Sequence, residues 1–201
     1  MSKIGVFGGS FDPVHFGHIY LARQAVSECT LDRLIVLPAA IQPFKPEQTG
    51  ASGMHRLKMV GLAFEADMNI TVSDFEIKKG GVSYTIDTLR EIGNMYGGDT
   101  EVSFILGADT FLKIEKWKGF SALASGYSFI IGTRPGYRQD ELGDLMHRLI
   151  ENYGTVLTLI NNRQIQVSSS EIKQIIGSGN SLSGFIPVKV ERYIRSNGLY
   201  Q

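Results

Sequence analysis

The chain has 201 residues, a length that suits one domain with a sizeable hydrophobic core. Apolar residues make up 43% of the chain and charged residues 20%, as is ordinary for a globular protein. Lys and Arg number 20, and Asp and Glu also number 20. This balance argues against a large nucleic-acid-binding surface but not against a local basic pocket for a small anion.

The single cysteine, Cys29, excludes an internal disulfide and a cysteine-based zinc cluster. We therefore expect a reducing, cytoplasmic location. No apolar run approaches the ~20 residues that span a bilayer. The apolar run at residues 4–7 is too short for a secretory signal, so we expect no membrane association.

Short apolar runs alternate with segments of helical periodicity along the chain. In chain order, the pattern predicts a strand at 3–9, a helix carrying Ile19, Ala22, Val26 and Cys29, a strand at 33–38, a helix at 54–64, a strand at 70–72, a helix carrying Ile86, Leu89 and Ile92, strands at 101–107 and 127–132, and a surface helix near 138–153.

The end of the chain carries helix-boundary signals. Ser168 and Glu171 form a capping-box pair ahead of an apolar helix face, and Gly177 is the expected stop. Pro187 and Gly198 stand where a further helix favours proline at its start and glycine at its end. We predict an α/β fold, a Rossmann-like doubly wound parallel sheet with helices on both faces, as one domain over 1–201 with a C-terminal helical part at about 168–201.

The segment GGSFDPVHFGH, residues 8–18, joins the first predicted strand to the first helix. Gly8 and Gly9 allow a sharp turn and close approach of a ligand to the backbone. The helix N-terminus offers N–H groups and partial positive charge to phosphate. His15 and His18 share one side of the first turn and could stabilise charge on a phosphate. The alternative is a tight turn with capping histidines, but two histidines directly after a strand favour phosphate binding.

Other segments have both a structural and a functional interpretation. Asp109, after the strand at 101–107, could accept hydrogen bonds from ribose or cap a helix. Trp117 could stack on a flat ring or fill core. Lys45 and Arg134, in proline-containing loops, could bind phosphate or lie in solvent. The serines of VSSSEIK, residues 167–173, could face phosphate, cap a helix, or do both.

The segment HFGH, residues 15–18, resembles the HxGH motif of the nucleotidyltransferase α/β phosphodiesterase superfamily. The wider segment is similar to bacterial nicotinate-nucleotide adenylyltransferases, and the likeness extends over nearly the whole chain. Three positions depart from the family pattern. Ser170 stands where a threonine is usual and keeps the hydroxyl. Lys173 replaces an arginine and loses its bidentate fork, and Phe44 stands where a histidine is usual.

The resemblance implies transfer of adenylyl from ATP to nicotinate mononucleotide, with Mg²⁺ bound mainly through the ATP phosphates rather than by protein side chains. It implies His15, His18 and Lys45 as catalytic residues. The residues implied for ATP are Gly8, Gly9, Ser10, Phe11, His15, His18, Gly107, Asp109, Arg134, Ser168, Ser169, Ser170 and Lys173. Those implied for nicotinate mononucleotide are Lys45, Tyr84, Thr85, Asp109 and Trp117.

Other functions stay open at this point. Phosphopantetheine adenylyltransferases and cytidylyltransferases share the HxGH loop, and so do aminoacyl-tRNA synthetases, although no KMSKS-like loop or tRNA-binding surface is evident here. A nucleotide sensor that binds ATP without turnover is a different class. The sequence is compatible with a homo-oligomer but does not specify one.

Overall fold

The computed structural model describes residues 2–43, 50–133, 138–161 and 168–201. Within these residues, one six-stranded sheet has the order β3-β2-β1-β4-β5-β6, and every neighbouring pair of strands is parallel. The strands are β1 (Ser2–Gly9), β2 (Arg33–Pro38), β3 (Ile70–Val72), β4 (Thr100–Gly107), β5 (Ser128–Thr133) and β6 (Leu157–Asn161). This confirms the predicted doubly wound parallel sheet.

Helices connect the strands and follow the last of them. They are α1 (Phe16–Glu28), α2 (Gly53–Phe64), α3 (Phe75–Lys79), α4 (Thr85–Tyr96), α5 (Ala108–Phe111), α6 (Phe120–Gly126), α7 (Gln139–Tyr153), α8 (Ser169–Gly177) and α9 (Val188–Ser196), with a 3-10 turn at Ile114–Lys116. None of the helices that the structure describes is long and apolar enough to cross a membrane.

Alternation along the central strands divides the core into two layers. In β1, Ile4 and Val6 point to one face of the sheet and Phe7 to the other. Buried side chains of α1, α2, α8 and α9 fill the layer that contains Phe7. Those of α4, α5, α6 and α7 fill the layer that contains Val6. Helices therefore cover both faces, which explains why the central strands are apolar almost throughout.

Some elements differ from the sequence-based expectations. Strand β6 was not predicted. It lies at the edge of the sheet, and Ile160 is its one buried residue, so its apolar pattern is weak. The short helices α3 and α6 were also missed. Helix α7 is more than a surface helix, since it buries Leu142, Leu145 and Leu149. Gly177 is the last residue of α8 rather than a stop beyond it, and the left-handed residue is Gly179.

The order of the strands positions the candidate site. The chain moves outward from β1 through β2 to β3, then returns to pair β4 on the other side of β1. The connections after β1 and β4 therefore diverge and leave a crevice at the carboxyl ends of these two strands. In sheets of this type, ligands bind in that crevice.

The layer that contains Phe7 gives a test of the fold. Leu34 of β2 is fully buried there, whereas Leu159 of β6 is 47% exposed. We expect Leu34→Ala to lower the free energy of unfolding by about 2–5 kcal/mol, because it leaves a cavity. The matched variant Leu159→Ala should change it by no more than about 0.5 kcal/mol, as surface substitutions usually do. Urea unfolding measures both, and equal effects would contradict the assigned burial.

Candidate nucleotide-binding site

The connection between β1 and α1 forms one wall of the crevice. Gly8 and Gly9 belong to β1, and neither has a positive φ, so they do not make the turn that the sequence suggested. The left-handed residue of this loop is Phe11, with φ 48°. The Phe11 side chain is fully buried and packs edge-on against Phe7 at 5.2 Å and against His18 at 5.0 Å. A Cβ on Gly9 would lie 3.1 Å from the Phe11 ring, so this glycine makes room for the ring.

The two histidines meet at the start of α1, as predicted. His15 is the N-cap residue and His18 lies in the first turn. Their rings stack with centroids 3.7 Å apart, and the backbone N–H of His15 donates to His18 Nδ1 at 3.3 Å. A Cβ on Gly17 would lie 3.0 Å from the His15 ring, which explains the glycine between the histidines. The capping interpretation and the phosphate-binding interpretation therefore both fit His15 and His18.

Burial holds the pKa of His18 well below its usual value, and the neighbouring His15 lowers it further. His18 is therefore neutral at pH 7. A neutral imidazole that accepts a hydrogen bond at Nδ1 carries its proton on Nε2. His18 thus presents an N–H donor, without a full positive charge, at the N-terminus of α1, where phosphate is favoured electrostatically.

The carboxyl end of β4 forms the opposite wall. Gly107 caps α5, so Asp109 is not the helix cap that the structural alternative proposed. Asp109 is exposed, and its Oδ1 would lie 2.8 Å from a Cβ on Gly107. The carboxylate thus folds back over the end of the strand, where Gly107 leaves space for it. Because Asp109 does not cap the helix, its carboxylate remains a candidate to accept hydrogen bonds from the hydroxyl groups of a ribose.

The start of α8 contacts the β1–α1 loop. Ser168 caps α8 by accepting from the Glu171 N–H at 3.2 Å, and the Glu171 carboxylate accepts from the Ser168 N–H at 2.6 Å, which confirms the predicted capping box. The Ser169 hydroxyl donates to the Pro13 carbonyl at 3.0 Å, and Ser170 is exposed. The two helix N-termini that were predicted to bind phosphate are therefore adjacent.

Asp12 lies in the β1–α1 loop, residues 10–15, which we call the phosphate loop after its predicted role. It connects this loop to distant parts of the chain. Its carboxylate accepts from the Ala51 N–H at 3.0 Å and from the Tyr200 hydroxyl at 2.6 Å, and it forms an ion pair with Lys173. Lys173 therefore contacts Asp12 and the Tyr200 ring in this structure. Burial and the Asp12 carboxylate together raise the pKa of Tyr200. The hydroxyl consequently keeps its proton and acts as a donor.

The segment that follows β2 links the β1–α1 loop to residues 83–85, which include the predicted acceptor residues Tyr84 and Thr85. The Ala39 N–H donates to the Gly9 carbonyl at 2.8 Å. The Ala40 N–H then donates to the Ser83 hydroxyl at 3.0 Å, and the Ser83 N–H donates to the Ile41 carbonyl at 2.9 Å. Tyr84 is the N-cap residue of α4, and Thr85 is its first residue. These bonds place the two predicted substrate elements in one connected framework.

Trp117 and Tyr84 are both half-buried against the core layer that contains Val6. Trp117 packs edge-on against Phe104 of β4, with ring centroids 5.9 Å apart. The next residue, Lys118, places its ammonium 4.3 Å from the centre of the Tyr84 ring and bonds Asp87 at 3.0 Å. Trp117 is therefore packed against the core as the structural interpretation expects, and its role in stacking on a ligand ring stays a prediction.

Lys45 and Arg134, together with Phe44, lie outside the described residues. Their predicted roles therefore stay predictions. Sequence reasoning missed Asp12, Arg56, Lys118 and Tyr200. Asp12 lies inside the quoted GGSFDPVHFGH segment and could have been considered there. The other three carry no local pattern, because their contacts join segments that are far apart in the chain.

Metal binding by side chains alone finds no support in the part of the chain that the structure describes. Those residues contain no group of three His, Cys, Asp or Glu side chains that could hold a metal ion.

A family model described as cytidylyltransferase-like matches residues 6–175. This match covers most of the chain, which therefore belongs to the cytidylyltransferase-like family of nucleotidyltransferases. A probable nicotinate-nucleotide adenylyltransferase from Thermoanaerobacter sp. (strain X514) is 34% identical over 199 residues, covering 99% of this chain and 94% of that relative. Another from Opitutus terrae is 37% identical over 203 residues, covering 99% and 98%. Within the class, this chain is thus a member of the nicotinate-nucleotide adenylyltransferase family.

The fold agrees with that assignment. The solved structure of Plasmodium falciparum nicotinic acid mononucleotide adenylyltransferase complexed with NaAD aligns with a TM-score of 0.82. The alignment covers 100% of this chain and 98% of that one at 20% sequence identity. At this identity the likeness shows the common fold.

The low pKa of His18 can be tested by NMR. We expect the His18 imidazole signals to stay constant as the pH falls from 8 through the ordinary histidine pKa of about 6.5. In urea the same signals should titrate near that value.

The low pKa also predicts how the stability depends on pH. As the pH falls below about 6.5, the imidazole of His18 gains a proton in the unfolded chain but not in the folded chain, and this difference lowers the free energy of unfolding. His18→Asn should therefore lose less stability on acidification, and titration of folded His18 near pH 6.5 would contradict the burial argument.

Proposed function

We propose that this chain transfers the adenylyl group of ATP to nicotinate mononucleotide, forming nicotinate adenine dinucleotide and pyrophosphate in NAD biosynthesis. The observation that carries the proposal is the stacked His15 and His18 pair at the switch point of the sheet, where a nucleotide is expected. The names of the relatives, which match this chain over nearly their whole length, support the choice of acceptor.

In the proposed reaction, a 5′-phosphate oxygen of the acceptor attacks the α-phosphorus of ATP. A new P–O bond forms there, and the bond to the bridging oxygen of pyrophosphate breaks. No nucleophilic side chain of the protein is required, so positioning and charge stabilisation supply the catalysis. Mg²⁺ bound to the ATP phosphates would neutralise part of their charge.

In the proposed reaction, one set of residues contacts ATP, the adenylyl donor, and another contacts nicotinate mononucleotide, the acceptor. His18 donates from Nε2, and His15 lies against it, so both brace the α-phosphate and the departing pyrophosphate. The start of α8, with Ser169 and Ser170, faces the β- and γ-phosphates. Lys173 joins them by leaving its ion pair with Asp12 when the more highly charged triphosphate arrives. Lys45 and Arg134 are the proposed further cations.

The acceptor half uses the other wall of the crevice. Asp109 accepts from ribose hydroxyls, and the accessible part of Trp117 stacks on the pyridine ring. Tyr84 and Thr85 line the same pocket at the start of α4, where helix N–H groups favour the carboxylate of nicotinate over the amide of nicotinamide.

A reducing cytoplasmic location is part of the proposal and agrees with Cys29 being a free thiol.

Pyrophosphate release with a panel of acceptors tests the proposed function. With ATP and Mg²⁺, we expect the highest kcat/KM for nicotinate mononucleotide and a lower value for nicotinamide mononucleotide. Phosphopantetheine should give no release. Preference for phosphopantetheine, or for a CTP-dependent reaction, would assign the chain to a sister activity. ATP binding without turnover of any acceptor would indicate a nucleotide sensor.

The role of His18 predicts a particular kinetic effect. We expect His18→Ala to lower the rate of the chemical step by about 100- to 1,000-fold, the usual cost of removing one preorganised donor to a developing charge. ATP affinity should fall far less, because the start of α8 and the other proposed donors remain. Rapid-quench kinetics and calorimetry measure the two effects. His147→Ala, which removes an exposed histidine of α7, is the matched control, and an unchanged chemical step in His18→Ala would refute the assignment.

A further inference from the structure

Arg56 of α2 is the largest side chain among those that are fully buried in the described residues, and it is only 2% exposed. Its guanidinium donates three hydrogen bonds to backbone carbonyls. Nη1 bonds Ser10 at 2.8 Å, Nη2 bonds Ala40 at 3.2 Å, and Nε bonds Ala51 at 3.2 Å. One side chain therefore joins all three segments, in addition to the Ala39–Gly9 and Ala51–Asp12 hydrogen bonds that link them in pairs.

The three segments belong to different parts of the site. Ser10 lies in the phosphate loop after β1, and Ala51 precedes α2. Ala40 lies after β2, in the segment whose N–H binds Ser83, next to Tyr84 of the acceptor wall. Arg56 thus fixes the spacing between the part of the site that holds ATP and the part that holds the acceptor.

Packing alone does not explain a cation at this position. Burial of a guanidinium is costly, and here it lowers the pKa of Arg56. The carboxylates of Asp12 and Glu76 oppose that shift, so they offset part of the cost. A methionine would avoid this cost but would leave the carbonyls of Ser10, Ala40 and Ala51 without the donor that Arg56 supplies. What the guanidinium adds is a rigid planar fork whose donors can hold several oxygen atoms at fixed angles.

We propose that Arg56 is a positioning residue for the adenylyl transfer, which sets the approach of the acceptor phosphate to the ATP α-phosphorus without touching either substrate. This inference rests on the proposed function. A misplacement of about 1 Å between reacting groups can lower the rate by about 100-fold. Loss of the three hydrogen bonds from Arg56 should therefore lower kcat. Substrate binding should change much less, because each half of the site keeps its own binding groups.

The test compares Arg56→Lys and Arg56→Gln with the wild-type chain. Lysine keeps the charge opposite Asp12 and Glu76 but cannot reach three carbonyls as a fork, while glutamine removes the charge and keeps an N–H donor. In each variant that retains the wild-type near-ultraviolet circular dichroism, we expect kcat to fall by about 10- to 100-fold, with much smaller changes in the KM of either substrate and in the calorimetric Kd of ATP. Arg148→Lys, an exposed arginine of α7, is the matched control and should leave all of these values unchanged.

Several outcomes would overturn the proposal. If kcat per folded molecule stays at the wild-type value, Arg56 is a purely structural residue, and failure of both variants to fold would lead to the same conclusion. A rise in one KM with unchanged kcat would indicate a binding contact instead. Every variant is assayed with the acceptor that the wild-type chain turns over fastest. If nicotinate mononucleotide is the wrong acceptor, the wild-type assay shows this. The ratio of kcat between variant and wild type then still tests the role of Arg56.

Discussion

The carboxylate of Asp12 joins four parts of the chain that are distant in the sequence. It belongs to the β1–α1 loop and binds the Ala51 N–H before α2, Lys173 of α8, and Tyr200 after α9. The loops at this edge of the sheet extend beyond the strand ladders, so backbone pairing alone does not fix their positions. Side-chain contacts do this work, and Asp12 provides three of them, one to a backbone N–H and two to other side chains. The C-terminal helices are therefore part of the site, because they hold the phosphate loop from outside the sheet.

The electrostatic character of the site follows from the same arrangement. The N-termini of α1 and α8 bring partial positive charge to one place, while His18 is buried enough to remain neutral. The proposed phosphate site thus relies on oriented N–H donors and on a lysine that is neutralised by Asp12 before a ligand binds. Such a site avoids a cluster of unpaired buried cations, whose desolvation would destabilise the fold.

Strong local signals in the sequence were reliable. The alternating and continuous apolar runs of β1, β2, β4 and β5 required burial on two faces, and that requirement leads to a parallel sheet covered by helices. The Ser168 capping box was predicted because its two partners lie three residues apart. By contrast, β6 was missed since an edge strand buries little, and the turn attributed to Gly8 and Gly9 proved to be made by Phe11. A phenylalanine with positive φ has no sequence signature, and here its buried ring packs against Phe7 and His18.

The sequence by itself determined the class of fold, the position of the histidine pair after the first strand, and the resemblance that names the acceptor. Only the tertiary structure decided which side chains hold the site together. Arg56, Lys118 and Tyr200 each contact a segment tens of residues away, and no periodicity or spacing encodes such contacts. The tertiary structure also decided that Asp109 is not a helix cap and that Lys173 pairs with Asp12. The physical reason is that local patterns reflect burial and backbone geometry, whereas the partner of a polar side chain depends on where the whole chain brings it.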